Sequence, residues 1–180
     1  FSLEAASVRE RIREPMTGEI RLQWWRDALG AGRDDGGANP VALALLDTVE
    51  RYKLPRQALI DLIDARIFDL YDDPMPGMAE LEGYCGETSS ALVRLATIIL
   101  NDGEEPGGAE AAGHAGMAYA LVGLLRALPW TSARGQLYLP ADLLARYDVS
   151  RDDVVGRRDT PGLRAALAEI RALTRSHLDA

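Results

Sequence analysis

Apolar residues recur three and four positions apart along almost the whole chain, and the alternation that marks a strand is scarce. The pattern predicts a succession of helices. Phe1 to Ile12 reads as the end of one helix, closed by Pro15 and Gly18. Glu19 to Leu29 reads as the next, with Ile20, Leu22, Trp25 and Leu29 offered to one broad face. Gly30 to Asn39, rich in Gly and Asp, is a loop. Asn39 then supplies an N-cap and Pro40 the first position of a helix running to about Tyr52. Pro55 to Tyr71 follows with Leu59, Ile63, Ile67 and Leu70 in register, and Pro74-Met75-Pro76-Gly77 breaks it.

Met78 to Leu100 predicts a long helix with the small residues Ser89, Ser90 and Ala91 at its middle. Beyond a break at Asn101 to Gly108, the segment from Ala109 to about Leu128 is nearly all Ala, Gly and large apolar residues. That composition predicts a central helix buried on most sides, with Pro129 ending it. Gln136 to Pro140 is a short extended or turn segment, and Asp142 starts a short helix. Asp159-Thr160-Pro161-Gly162 reads as a cap and turn into a last helix from Leu163 onward. The expected class is all-α, arranged around one central apolar helix.

Composition narrows the function. The chain has 180 residues, 47% hydrophobic and 27% charged, enough for a single domain over 1–180 with no linker dividing it. A formal net charge of −8 gains nothing from counterion release on a polyphosphate, so nucleic acid is not an expected partner. With two His and the lone Cys85 there is no zinc-ligand cluster and no disulfide framework, and the thiol fits a reducing compartment. No run approaches the roughly 20 apolar residues of a membrane span. The expected location is the cytoplasm of a bacterium, with peripheral membrane contact allowed. Starting at Phe1 and stopping at Ala180 inside a helical pattern, the chain reads as an excerpt, incomplete at both ends.

Four stretches carry a resemblance. Arg21-Leu22-Gln23-Trp24-Trp25-Arg26-Asp27-Ala28-Leu29 is similar to an "RL-x-x-W-R-x-x-L" helix, and Leu81-Glu82-Gly83-Tyr84-Cys85 to an "L-x-x-Y-C" helix start. The third is the apolar helix from Gly116 to Arg126. The fourth, Ala133-Arg134-Gly135-Gln136-Leu137-Tyr138-Leu139-Pro140, resembles "R-R-G-R-x-Y-L-P". In this order and at these separations they resemble the squalene/phytoene synthase family, which implies an isoprenoid-synthase-type helical bundle. Active members of that family join two prenyl diphosphates head to head. The departing diphosphate is neutralised by magnesium, which needs hard oxygen ligands such as Asp carboxylates.

The family's late motif, "N-I-L-R-D-x-x-x-D-x-x-R-G-R-x-Y-L-P", fits without a gap from Gly123 to Pro140. Arg126 matches the family Arg, but the two Asp positions fall on Ala127 and Thr131 and the Asn on Gly123. The early motif, "F-x-x-x-A-D-D-x-x-D", falls on Phe1 to Glu10, with Ala6 and Ser7 at the paired Asp positions and only Glu10 acidic. The resemblance therefore points to a non-catalytic branch, which includes the mitochondrial assembly factor for respiratory complex I and its bacterial relatives. It implies a binding or assembly protein with no catalytic residue, no metal and no cofactor, whose partner is a protein or an apolar or prenyl ligand. The alternative is an active, magnesium-dependent prenyltransferase of the family's usual kind. A third reading, a metal-independent enzyme in the old cavity, has no nucleophile or base named by the sequence.

Residue by residue, the resemblance makes Tyr84 and Tyr138 either cavity lining or packed aromatics with bonded hydroxyls. Arg126 and Arg134 either grip a phosphate or pair with neighbouring carboxylates. The acidic stretch Asp61, Asp64, Asp69, Asp72 and Asp73 reads as a solvated helix face running into a loop, with a structural role for Asp69. His114 reads as a capping or core histidine, and Cys85 as a small buried hydrophobe. Adjacent Trp24 and Trp25 cannot share one face, so one is expected inside and the other at an edge where a partner could touch it. Trp130 is a similar candidate.

Overall fold

The computed structural model of the protein describes residues 1–31 and 39–180. Its helices are α1 (Ser2–Ala6), α2 (Pro15–Ala31), α3 (Pro40–Arg51), α4 (Arg56–Ala65), α5 (Met78–Cys85), α6 (Ala91–Leu100), α7 (Ala109–Ala133), α8 (Ala141–Arg146), α9 (Arg151–Val155) and α10 (Pro161–Asp179). Short 3₁₀ turns at Arg9–Arg11 and Arg66–Leu70 and one π turn at Gly86–Ser90 complete the regular structure, and no strand occurs among the described residues. Most of the expected loop from Gly30 to Asn39 lies outside the described residues, although Gly30 and Ala31 are helical. The described residues gather into two compact units, Phe1–Tyr71 with Ala91–Gly108, and Asp72–Ser90 with Ala109–Ala180.

In the first unit, Pro15 opens α2 instead of closing the helix before it. The ring presets φ for a first turn, where the missing N–H has no partner to lose. Gly18 lies inside α2, and a Cβ there would meet Leu70 Cδ2 at 2.6 Å and Ile12 Cδ1 at 2.7 Å. The buried face of α2 runs Gly18, Leu22, Trp25, Leu29. Ile20, expected on that face, is 65% exposed, because two positions from Leu22 is roughly 200° around the helix. Trp25 is buried with Phe1 set edge-on to it at 5.1 Å, while Trp24 stands at the edge as expected. Leu46, Leu62, Ile63 and Ile98 fill the rest of the core.

Asn39 caps α3 through Oδ1, which accepts from the amides of Val41 and Ala42. The helix expected from Pro55 to Tyr71 tightens into the 3₁₀ turn after Ala65, which leaves Leu59, Ile63 and Leu70 buried and Ile67 only half-buried.

The second unit is organised on α7, which packs against α10, the π turn, α5 and α9. Pro129 does not end α7, which runs on to Ala133 with Ser132 buried and its hydroxyl directed at the Pro129 carbonyl. The expectation that α7 is buried on most sides also fails. Of its most apolar 18-residue stretch, 22% is buried. Small residues make the inward contacts, Ala112, Gly116 and Ala118 beside Leu121, while Tyr119 and Trp130 stand exposed. Close helix crossings favour small side chains; of the large ones Leu121 is fully buried and Leu124, Leu125 and Leu128 are half-buried. By length and composition alone α7 could cross a membrane, a test that core helices of water-soluble proteins also pass.

Two features of this unit carry no mark in the apolar pattern. Met75 donates its amide to the Leu137 carbonyl at 3.1 Å and accepts from the Ala141 amide at 2.8 Å, so the proline-flanked break pins the 136–140 segment. The short helix α9 begins at a capping box, with Ser150 and Asp153 satisfying each other's backbone amides.

Candidate functional site

The segment Gln136 to Pro140 and the end of α5 bring together the tyrosines 54 positions apart. Tyr84 is 7% exposed, and its ring centroid lies 5.6 Å from that of Tyr138 at an interplanar angle of 47°. Immediately after Tyr84 the helix widens into the π turn, where the Thr88 hydroxyl donates to the Tyr84 carbonyl at 2.6 Å. Such widened turns occur often at functional sites. Gln136 is buried beside this pair in sequence, with Leu137 and Leu139.

Tyr138 and Thr131 border a small apolar space between α7, α5 and α10, walled by Leu81, Leu121, Leu124, Leu125, Leu128, Leu139 and Ile170. Its volume is about 10 Å³, at or below what one water needs, and its walls are almost wholly hydrocarbon. Thr131, at the second family Asp position, is half-buried against these leucines and donates its hydroxyl to the Leu128 carbonyl at 3.3 Å. Ala127, at the first, is half-buried and has no donor or acceptor in its side chain, and Gly123 is exposed.

The early positions lie in the other unit. Ala6 ends α1, and Ser7 follows it with its hydroxyl donating to the Glu4 carbonyl at 3.1 Å. Glu10 is exposed on the first 3₁₀ turn. Among the described residues, no three His, Cys, Asp or Glu side chains converge as ligands of one metal ion.

Arg126 is exposed on α7, and Arg134 is exposed just beyond its end. The acidic stretch is divided by the structure. Asp69 is 5% exposed and ion-paired to Arg66 at 3.0 Å, Asp64 pairs with Arg26 at 3.1 Å, and Asp61 accepts from Gln57 at 2.7 Å. Asp72 and Asp73 are exposed beyond the helical segment. Cys85 is fully buried.

His114 holds a partner that the sequence did not indicate. Its Nδ1 lies 2.8 Å from Nδ1 of His177 on α10, with ring centroids 5.0 Å apart. Nothing in either residue's neighbourhood pairs them, since 63 positions separate them; that they are the chain's two histidines is the one available hint.

Comparison with known proteins places these features in a family. The family model described as squalene/phytoene synthase matches residues 1–180. The rat protein named NADH dehydrogenase (ubiquinone) complex I, assembly factor 6 is 32% identical over 99% of this chain, which covers 54% of that protein. Phytoene synthase of Thermus thermophilus is 31% identical over 85% of the chain and 52% of the enzyme, and presqualene diphosphate synthase of Rhodopseudomonas palustris is 33% identical over 80% and 50%. The chain thus spans about half the length of these relatives. Among solved structures, squalene synthase HpnC from Alicyclobacillus acidocaldarius superposes with a TM-score of 0.76 at 20% identity, over 97% of this chain and 67% of that one. A dehydrosqualene synthase superposes at 0.78 with 17% identity, over 99% and 62%.

Proposed function

Because the chain belongs to the squalene/phytoene synthase family, we propose that it is a member that binds without catalysing, acting as an assembly protein of the respiratory complex I type. The observation that carries this reading is the surroundings of Thr131. At a position where an active member needs a carboxylate, a hydroxyl is bonded to the Leu128 carbonyl beside a space of about 10 Å³ walled by leucines. Ala127 adds a methyl at the other position, and Ala6 and Ser7 stand at the early pair. A magnesium ion takes near-octahedral oxygen ligands and keeps part of its water shell. These residues supply no carboxylate and do not fit it.

In this reading Tyr84 and Tyr138 mark a largely filled remnant of an apolar ligand site, and Arg126 and Arg134 supply exposed guanidinium groups without a metal between them. The assembly factors among its relatives support an assembly role. A cytoplasmic location with peripheral membrane contact belongs to the same reading. The second reading, an active head-to-head prenyltransferase using magnesium, is favoured by the phytoene and presqualene diphosphate synthases among the relatives.

Calorimetric titration of the full-length protein with a non-hydrolysable farnesyl diphosphate analogue, with and without magnesium, separates the two. Binding that ignores magnesium, or no binding, is the expected result. Tight binding that requires magnesium would overturn the proposal, because it demands a set of carboxylate ligands.

A further inference from the structure

The outward face of α2 carries a line of large apolar side chains. Met16, Ile20 and Trp24 follow one another at four-residue spacing, which sets them one above the next along the helix. They are 72%, 65% and 38% exposed. Beside them Glu19, Gln23, Asp27 and Ile67 border an open groove of about 540 Å³. A surface helix ordinarily turns polar residues to solvent. This one presents a hydrophobic ridge about two turns long.

Arg21 flanks Trp24 on the far side of the ridge, and the charges that line the groove itself are unequal in their compensation. Arg26 is neutralised by Asp64 at 3.1 Å. Glu19 accepts from the Tyr71 hydroxyl, and Asp27 accepts from the Gln23 amide at 2.7 Å. Both donors are neutral, so neither hydrogen bond brings a positive charge to these carboxylates at the rim of the apolar groove.

We infer that this face of α2 docks a helical segment of another polypeptide, one with apolar side chains at helical spacing and Lys or Arg flanking them. Amphipathic helices bind in this manner, with an aromatic residue such as Trp24 as the anchor. Basic flanks would meet Glu19 and Asp27 and contribute to both affinity and choice of partner. The same two carboxylates disfavour an anionic lipid surface, which attracts basic groups. They also disfavour a second copy of this face, which would set like charges against each other. The inference rests on the binding reading above and adds the chemistry of the partner.

The test is titration of the full-length protein with a designed 18-residue Leu/Lys amphipathic helix and its Leu/Glu counterpart, by calorimetry at low and high salt. The wild type should bind the Leu/Lys helix in a salt-sensitive way and ignore the other. Ile20→Asp, an exposed substitution checked for folding by circular dichroism, should weaken binding at least about tenfold. Glu19→Lys with Asp27→Lys should do the same and shift preference to the Leu/Glu helix. Glu104→Lys with Glu110→Lys changes net charge equally at exposed positions elsewhere and should leave affinity within about twofold. Equal binding by the wild type, Ile20→Asp and the Glu19→Lys, Asp27→Lys variant overturns the inference, as does no binding by the wild type. Ile20-dependent dimerisation, or Ile20-dependent partition onto phosphatidylserine vesicles, overturns it in favour of those occupants. These failures sink the groove alone, whereas magnesium-dependent binding of the prenyl diphosphate analogue sinks the reading beneath it.

Discussion

Gly116 of α7 rests on the backbone of Ser90 in the π turn, so closely that a Cβ at Gly116 would lie 2.3 Å from the Ser90 Cα. The Ser90 hydroxyl completes the contact by donating to the Gly113 carbonyl at 2.7 Å. The obstacle at Gly116 is backbone, which cannot rotate aside as a side chain can. Gly116→Ala should therefore cost about 2–3 kcal/mol or more through forced displacement of one helix. Gly113, three residues earlier, has open space where its Cβ would go. Gly113→Ala should be neutral or stabilising by up to about 1 kcal/mol from helix propensity. Urea denaturation of the two variants decides the matter, and equal effects would contradict the close crossing.

The Asp69–Arg66 pair is the most buried ion pair described, with side-chain exposures of 7% and 17%. Replacing the carboxylate removes the opposite charge from beside a guanidinium group that stays largely out of water. Asp69→Ala should destabilise by about 3 kcal/mol, and combining it with Arg66→Met should recover part of that loss. A double-mutant cycle on unfolding free energy measures the coupling. Additive losses would mean that the two side chains act independently.

The capping box of α9 gives a pH dependence of defined sign. The Ser150 hydroxyl, and after it the Ser150 amide, hold the Asp153 carboxyl below its ordinary 3.8. A carboxyl depressed in the folded state contributes stability that is complete above the unfolded value and lost as pH falls through the folded one. That contribution should fade as acid is added below about pH 3.8. Carbon-detected NMR titration should find Asp153 shifted upward in Ser150→Ala, while Asp159, depressed chiefly by its hydrogen bond from Arg164, keeps its low value.

The contact between His114 and His177 requires one ring to donate and the other to accept. Nε2 of His177 is buried with no hydrogen-bond partner. A buried N–H without an acceptor is rarer than a buried lone pair without a donor. His177 is therefore expected to carry its proton on Nδ1 and to donate it to His114, which keeps its own proton on Nε2. Long-range proton–nitrogen correlation spectra distinguish the tautomers directly, and the reverse pattern would refute the assignment.

The sequence alone determined the helical class, the family and most element positions, because apolar spacing and end signals act locally. Asn39-Pro40 and Thr160-Pro161 announce their helices through a cap and a preset φ, and both stand where expected. Trp25 inside and Trp24 at the edge follow from the 100° step between neighbours on a helix. The short helix capped by Ser150 and Asp153 was not among the expected elements, since apolar spacing passes over so short a helix.

Tertiary structure decided what depends on neighbours distant in sequence. Proline has two local meanings, start and stop, and Pro15 opens α2 while Pro129 leaves the last turn of α7 intact. An apolar helix can meet its neighbours with large or small residues, and only the approach of Ser90 to Gly116 shows that α7 turns small ones to that crossing, with Leu121 buried beyond them. Residue identities at Ala127 and Thr131 were plain from the chain, but the leucine-walled space beside Thr131 was not. Nor was the exposed line of Met16, Ile20 and Trp24, since hydrophobic residues on a helix predict burial until the packing shows which face has a partner.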